Sequence, residues 1–240
     1  MKKRRPVSAA QRLRKMHDRL AEAYGPQFWW PAKSPFEVIL GAYLTQNTSW
    51  KAVEVSLANL RDAGALSIEG LRALSLERLT ELIRPSGFYT RKAPALKAFV
   101  AMLDAEFDGS LDSMAAAPTK VLRGRLLALP GVGRETADAI LLYALKHPVP
   151  VADEYLRRIA IRHELIDPPP AKNEKGYEAL VQLTRDAFAH DSASRTQLFN
   201  EFHALTVAVG KAHCRREPDC EHCPLAGDLK RAFHTRTKKR

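Results

Sequence analysis

The feature that most constrains the fold of this 240-residue chain is Leu129-Pro130-Gly131-Val132-Gly133, a glycine-rich turn set between two helical patterns. Before it, Leu122, Leu126 and Leu127 share one helical face. After it, Ala137, Ile140, Leu141 and Ala144 recur at the i, i+3, i+4, i+7 spacing of an amphipathic helix. Helices joined so tightly fold back as a hairpin, and the glycines let the backbone approach a neighbouring surface. Amides of such a turn, and of the helix start that follows it, can hold an anion. About twenty residues further on, Asp153 stands alone at the start of another helical run. If the anion is a nucleic-acid phosphate, Asp153 lies where a flipped-out nucleotide would arrive. The plainer reading is an ordinary helical hairpin, with Asp153 as a helix N-cap.

The rest of the chain also reads as helix. Ser8 and Gln11 form a capping-box pattern, and Leu13, Met16, Leu20 and Tyr24 make a stripe that stops at Gly25. Ser34-Pro35-Phe36-Glu37 combines a cap, a proline at the first helical position and a glutamate able to reach back. Trp50, Val53, Leu57 and Leu60 share a face that ends at Gly64. Further helices are expected near 75–84, 90–105, 119–128, 134–146, 154–165, 174–190 and 193–212. Without sustained alternation or an internal repeat, the expected class is all-α. Pro168-Pro169-Pro170 breaks the chain between two helices and is too short for a domain linker.

Length allows one large domain or two small ones. No apolar run reaches the roughly eighteen residues that cross a membrane, and the basic start MKKRRPVSAAQ lacks the apolar stretch of a secretory signal. The expected location is the cytoplasm, at the nucleoid. The net charge of +11 is unevenly spread: thirteen of the 38 Lys and Arg lie in residues 1–15 and 229–240, where there are no acids. The body therefore holds 25 basic against 27 acidic residues. Basic tails (1–7 and 230–240) suit a sequence-independent grip on phosphates, but a solvated, unstructured pair of tails fits the composition equally, and KKRR or TKKR also has the form of a nuclear-import signal.

Four stretches in order carry a family resemblance. LPGVGRETADAILLYAL resembles the helix–hairpin–helix of the endonuclease III superfamily of DNA glycosylases (HhH-GPD). SPFEVILGAYLTQNTSW is similar to its early helix and Gln-bearing turn, SGFYTRKAPALK to its wedge loop, and the Cys-rich end to its cluster loop. The resemblance implies two helical lobes flanking a DNA-binding cleft. One is a central helical barrel over 34–148 containing the hairpin at about 119–146; the other joins 1–33 to 149–240. It implies double-stranded DNA with a damaged base as partner, a monomer, and phosphate contacts around Gly131, Val132, Gly133, Arg134 and Thr136. Gln46 would fill the gap left by an extruded base and Phe88 would wedge the opposite strand, a general use of apolar side chains. Asp153 matches the catalytic aspartate. A carboxylate there opposes the positive charge that builds on deoxyribose as the glycosidic bond breaks.

Lyase-competent members carry a lysine where this chain has Glu135, and a carboxylate cannot form a Schiff base. The resemblance thus implies a monofunctional glycosylase, with Lys92 and Lys211 as conceivable substitute amines. Trp29-Trp30-Pro31 and Trp50, with Glu135 in the hairpin motif, look most like the 3-methyladenine branch, in which aromatics stack on the extruded base. Electron-poor methylated purines suit such stacking. The resemblance thus implies Trp30, Trp50 and Glu135 as base-pocket residues, with Lys211 matching a pocket lysine of that branch whose role stays open because its charge would repel a cationic base, whereas Trp29 reads as core. A glycosylase for mismatched or oxidised bases and a non-catalytic helix–hairpin–helix DNA binder are the alternatives.

Cys214, Cys220 and Cys223 are all the cysteines of the chain, spaced C-x5-C-x2-C, a metal pattern rather than a disulfide one. The resemblance implies a [4Fe–4S] cluster, but Leu229 stands where the fourth cysteine belongs. Iron–sulfur, a zinc site completed by His213, His222 or His234, and no metal at all stay open.

Overall fold

The computed structural model describes residues 7–30, 32–191 and 194–229. Apart from Val7 the two basic tails lie outside the described residues, as does His234. Among the described residues there are twelve α-helices and no strand, as the all-α reading requires. They are α1 (Ala9–Tyr24), α2 (Pro35–Leu44), α3 (Trp50–Asp62), α4 (Ile68–Ala73), α5 (Leu76–Leu82), α6 (Tyr89–Phe107), α7 (Leu111–Ala116), α8 (Thr119–Ala128), α9 (Arg134–Ala139), α10 (Glu154–Arg162), α11 (Glu174–Ala187) and α12 (Arg195–Ala212). The chain divides into two compact units, residues 30–149 and a discontinuous one of 1–29 with 150–240.

The continuous unit is built around α2. Its sequence PFEVILGAYL is apolar on every side, which makes a helix enclosed by others rather than one with a wet face. Helix α3, α6, α9 and the segment after α9 pack round it. Ile39, Leu40 and Leu44 have no accessible surface, each contributing about 1.5–3 kcal/mol of transfer free energy. The one charge on α2, Glu37, is buried and satisfied. It accepts the Lys33 amide at 3.0 Å and the Arg61 guanidinium at 3.0 Å. The expected reach-back to the helix cap thus goes one residue further, to Lys33, while Ser34 caps the Glu37 amide. Gly41 leaves room for the Trp30 indole: an added Cβ would stand 3.2 Å from its Cζ2, a tight contact.

The helix expected over 134–146 is α-helical only to Ala139 and continues as a π-helical stretch, Ile140–Ala144. A wider turn of this kind re-aims the side chains that follow. Helices α4 and α7, six residues each, escaped the periodicity because so short a segment shows less than two turns of pattern.

In the discontinuous unit α1 packs on α11 and α12, and α10 on α12. The α1 stripe of Leu13, Met16 and Leu20 is buried, and Ser8 makes the capping box read from the sequence. Phe188 gathers His17, Phe199 and Phe202 at ring-centroid distances of 5.2, 6.2 and 5.2 Å. Gly210 lets α12 meet α10, since a Cβ there would stand 2.1 Å from Cδ1 of Tyr155. Arg12 ties α1 to the Ala226–Asp228 turn, donating to the Asp228 carboxylate at 2.5 Å and the His163 carbonyl at 2.7 Å.

Candidate functional site

The turn between α8 and α9 is braced from within. Arg123 of α8 forms a bidentate pair with Asp138 of α9, Nε to Oδ1 at 2.6 Å and Nη2 to Oδ2 at 2.9 Å, and the Asp138 side chain is fully buried. Gly131 sits at φ 74°, a conformation glycine adopts without strain. Val132 is buried and its amide turns back to the Leu129 carbonyl, leaving Gly131, Gly133 and Glu135 at the surface and Arg134 and Thr136 half-buried. Gln46, two residues past α2, joins this turn: its Nε2 donates to the Gly131 carbonyl and to Thr136 Oγ1, both at 3.0 Å. Two motifs 85 residues apart in sequence are thereby brought together.

Phe88 is 58% exposed and left-handed at φ 49°, directly after left-handed Gly87. An apolar ring held in water by an unusual backbone suits a surface that meets a partner. Four residues on, Lys92 is buried and bonded to the Leu44 and Ser86 carbonyls. Burial lowers its ammonium to about 8. Its Nζ is enclosed between these two carbonyls.

Trp30 and Trp50 meet edge to face, centroids 5.5 Å apart and planes at 80°, with Tyr143 5.3 Å from Trp30 on another side. The pair borders an open pocket of about 470 Å³ shared with Lys33, Glu37, Glu54 and Arg61, a size within the range of small-ligand sites. Trp50 Nε1 donates to Glu54 at 3.0 Å, which fixes the indole. Glu135 is exposed in the first turn of α9 and does not line this pocket.

In the discontinuous unit Asp153 caps α10, its Oδ1 accepting the Leu156 amide at 2.8 Å. Its Oδ2 faces His203 Nε2 at 3.6 Å, and both residues are buried. Trp29, expected in the core, is half-buried and meets the His203 ring edge-on at 5.2 Å, beside the carboxylate's neighbour. Lys211 lies exposed in the last turn of α12.

Cys214, Cys220 and Cys223 border one small cavity of about 10 Å³, with Leu229 and Arg162 in the same wall. Arg162 Nη1 lies 2.9 Å from Cys214 Sγ, and its Nη2 donates to the Arg215 carbonyl at 2.6 Å. Burial pushes the Cys220 and Cys223 thiols up. Among the described residues no group of three or more His, Cys, Asp or Glu is placed to hold a metal ion. Three thiols, an aliphatic side chain in the fourth place and a guanidinium on Cys214 do not fit a four-thiolate cluster.

Several site residues were not anticipated. His203, Arg61, Glu54 and the Arg123–Asp138 brace are fixed by contacts between distant segments. Only Glu37, a charge inside an apolar run, gave a sequence signal that a buried partner must exist.

Comparison with known proteins agrees with this picture. The model of the HhH-GPD superfamily of base excision DNA repair proteins matches residues 40–183. A Methanocaldococcus jannaschii protein, named as a candidate DNA repair glycosylase, is 38% identical over 88% of this chain and 92% of its own length. Endonuclease III of Thermotoga maritima is 28% identical over 80% of each chain. Among solved structures, the 3-methyladenine DNA glycosylase of H. pylori, determined with 1,N6-ethenoadenine, superposes with a TM-score of 0.70. It is 29% identical and covers 86% of this chain and 98% of its own. An endonuclease III–DNA complex superposes with a TM-score of 0.74 over 96% and 99% at 23% identity, a likeness of fold. This chain belongs to the HhH-GPD superfamily of base excision DNA repair proteins.

Proposed function

We propose that the protein is a monofunctional DNA glycosylase that hydrolyses the N-glycosidic bond of alkylated purines such as 3-methyladenine in duplex DNA. The observation that carries the substrate class is the Trp30–Trp50 pair bordering a pocket that also holds Glu37 and Glu54. The aromatic faces favour an electron-poor, cationic base over a neutral one, while the pocket's two carboxylates are matched by Lys33 and Arg61. The H. pylori enzyme, named for 3-methyladenine, supports the same choice.

In this reading the outward amides around Gly131 and Gly133 hold DNA phosphates, while Gln46 and Phe88 occupy the opened stack. Asp153 acts on the sugar. As the bond to C1′ breaks, the base leaves with the electron pair and positive charge spreads over C1′ and the ring oxygen. The Asp153 carboxylate opposes that charge and orients the water that adds to C1′, whose proton passes to a carboxylate oxygen or to solvent. A methylated purine leaves as a neutral molecule, so no strong acid is needed at the base. Glu135 at the hairpin offers no amine, hence no covalent sugar adduct and no strand cut. The Cys-rich loop, held by Arg162, takes no part in the chemistry.

The test is release of 3-methyladenine and 7-methylguanine from methylated duplex DNA, with and without an alkali step. Free methylpurine with strand cuts only after alkali is the expected result. Binding of the duplex without release turns the reading towards mismatched or oxidised bases, or a non-catalytic binder.

A further inference from the structure

We infer that Lys92 is a positioning residue that ties the loop carrying Gln46 to the loop carrying Phe88, so that the two side chains enter a DNA stack as a fixed pair. This rests on the reading of the protein as one that opens a duplex.

The argument begins with an unusual expense. Lys92 lies in the first turn of α6 and is 5% exposed. Enclosing an ammonium costs several kcal/mol unless hydrogen bonds replace its water, and an aliphatic side chain would fill such a position without that penalty. Here Nζ donates to the Leu44 carbonyl at 2.8 Å and to the Ser86 carbonyl at 2.7 Å. Leu44 is the last residue of α2, whose terminal carbonyls have no partner within the helix. Gln46 follows two residues later. Ser86 is buried and immediately precedes Gly87 and Phe88, left-handed at φ 65° and 49°. One ammonium therefore stands between the peptide that aims Gln46 and the peptide that aims Phe88.

The tie continues on the far side. Gln46 Nε2 donates to the Gly131 carbonyl and to Thr136 Oγ1. The glycine turn, the Gln46 loop and the Phe88 loop are thus joined in series by two polar side chains, all within residues 30–149. Left to themselves, such loops would each lose conformational freedom on entering DNA, and Phe88 would leave a backbone conformation that bulky residues disfavour. Burial lowers the Lys92 ammonium to about 8, in line with its enclosure. At neutral pH it is still charged and donates strong, charge-assisted bonds to both carbonyls.

The experiment compares the wild type with Lys92→Met on a duplex containing a tetrahydrofuran abasic analogue flanked by 2-aminopurine, whose fluorescence rises when the stack opens. The variant is expected to bind this duplex about fivefold to tenfold more weakly, with roughly half the fluorescence rise or less. Its affinity for an undamaged duplex, a matter of phosphate contacts, stays within about twofold of wild type at the same salt. A general loss of structure would lower both affinities together, and that result overturns the inference. So does a variant indistinguishable from wild type. Should the methionine variant fail to fold, Lys92→Gln, shorter but still a donor, carries the same comparison, and Lys92→Arg is expected to recover part of the signal. A wild type that opens the stack yet releases no methylpurine sinks only the alkylpurine assignment. A wild type that opens no stack sinks both.

Discussion

Replacing Asp153 by asparagine separates the helix capping that this side chain performs from the catalysis proposed for it. Its Oδ1 caps α10 through the Leu156 amide at 2.8 Å, while Oδ2 faces His203 at 3.6 Å. Asparagine is as good an N-cap as aspartate, so the helix start should survive. What disappears is the negative charge. A unit charge about 5 Å from a developing sugar cation, at an effective dielectric near 20, is worth roughly 3 kcal/mol. Removal of a preorganised stabilising group elsewhere costs about 2.7–4 kcal/mol, a hundredfold to a thousandfold in rate. Asp153→Asn should therefore release methylpurine from duplex DNA about a hundredfold to a thousandfold more slowly under single-turnover conditions, with unchanged DNA affinity and thermal midpoint. Asp153→Ala should lose the same activity and in addition about 1 kcal/mol of stability from the missing cap, lowering the midpoint by about 2–4 °C. If the folded asparagine variant keeps release within about tenfold of wild type, the assignment of the charge to catalysis is refuted.

Other outcomes follow from the same geometry. Trp50→Ala should reduce kcat/KM for methylpurine release by about tenfold to a hundredfold, and Trp50→Phe much less, since a flat ring is kept; equal effects of the two would argue against stacking. Borohydride added to protein and an abasic duplex should trap no adduct, because Glu135 stands where a lyase carries its lysine and Lys92 is enclosed; a strong adduct would show an amine at work, with exposed Lys211 the first to replace. Metal analysis and visible absorption of the purified protein should show no stoichiometric iron. Arg162→Ala should cost about 1–3 kcal/mol in denaturant unfolding, whereas replacing all three cysteines by serine should cost less than that, the reverse of what a cluster-held loop would do. For pH, the Lys92 ammonium is lowered to about 8 in the folded protein against 10.5 ordinarily. Between those values the unfolded chain holds the extra proton, so the contribution of Lys92 to stability is at its least below about pH 8 and rises towards 10.5. The stability of wild type relative to Lys92→Met should grow across that window; a flat difference would contradict the enclosure.

What could be read from the sequence was what local chemistry decides. Ser8, Ser34 and Asp153 cap the helices they were expected to cap, because a cap bond spans three residues. Trp30 and Trp50, named together for the base pocket, meet edge to face. The alternation-free, stripe-rich pattern gave the all-α class. Contacts that bind distant segments were invisible: Arg61 on Glu37, His203 beside Asp153, Arg162 on Cys214, and Lys92 between two carbonyls. A lysine in a helical first turn, as in TRKAPALK, has the same letters whether its Nζ meets water or a peptide. The π-helical stretch was equally hidden, since its residues Ile140–Ala144 continue the apolar run of α9 and the wider turn comes from what they pack against.

The bidentate Arg123–Asp138 pair has a kinetic meaning. A repair protein that must inspect long tracts of intact DNA spends most of its time in brief, non-specific encounters. Any segment that has to order itself at each stop slows every one of them. With α8 and α9 clamped by a buried carboxylate, the glycine turn keeps its shape before DNA arrives. Landing then requires only the release of counterions, which is fast and reversible. Loosening the clamp would lengthen the search more than it weakened the final grip.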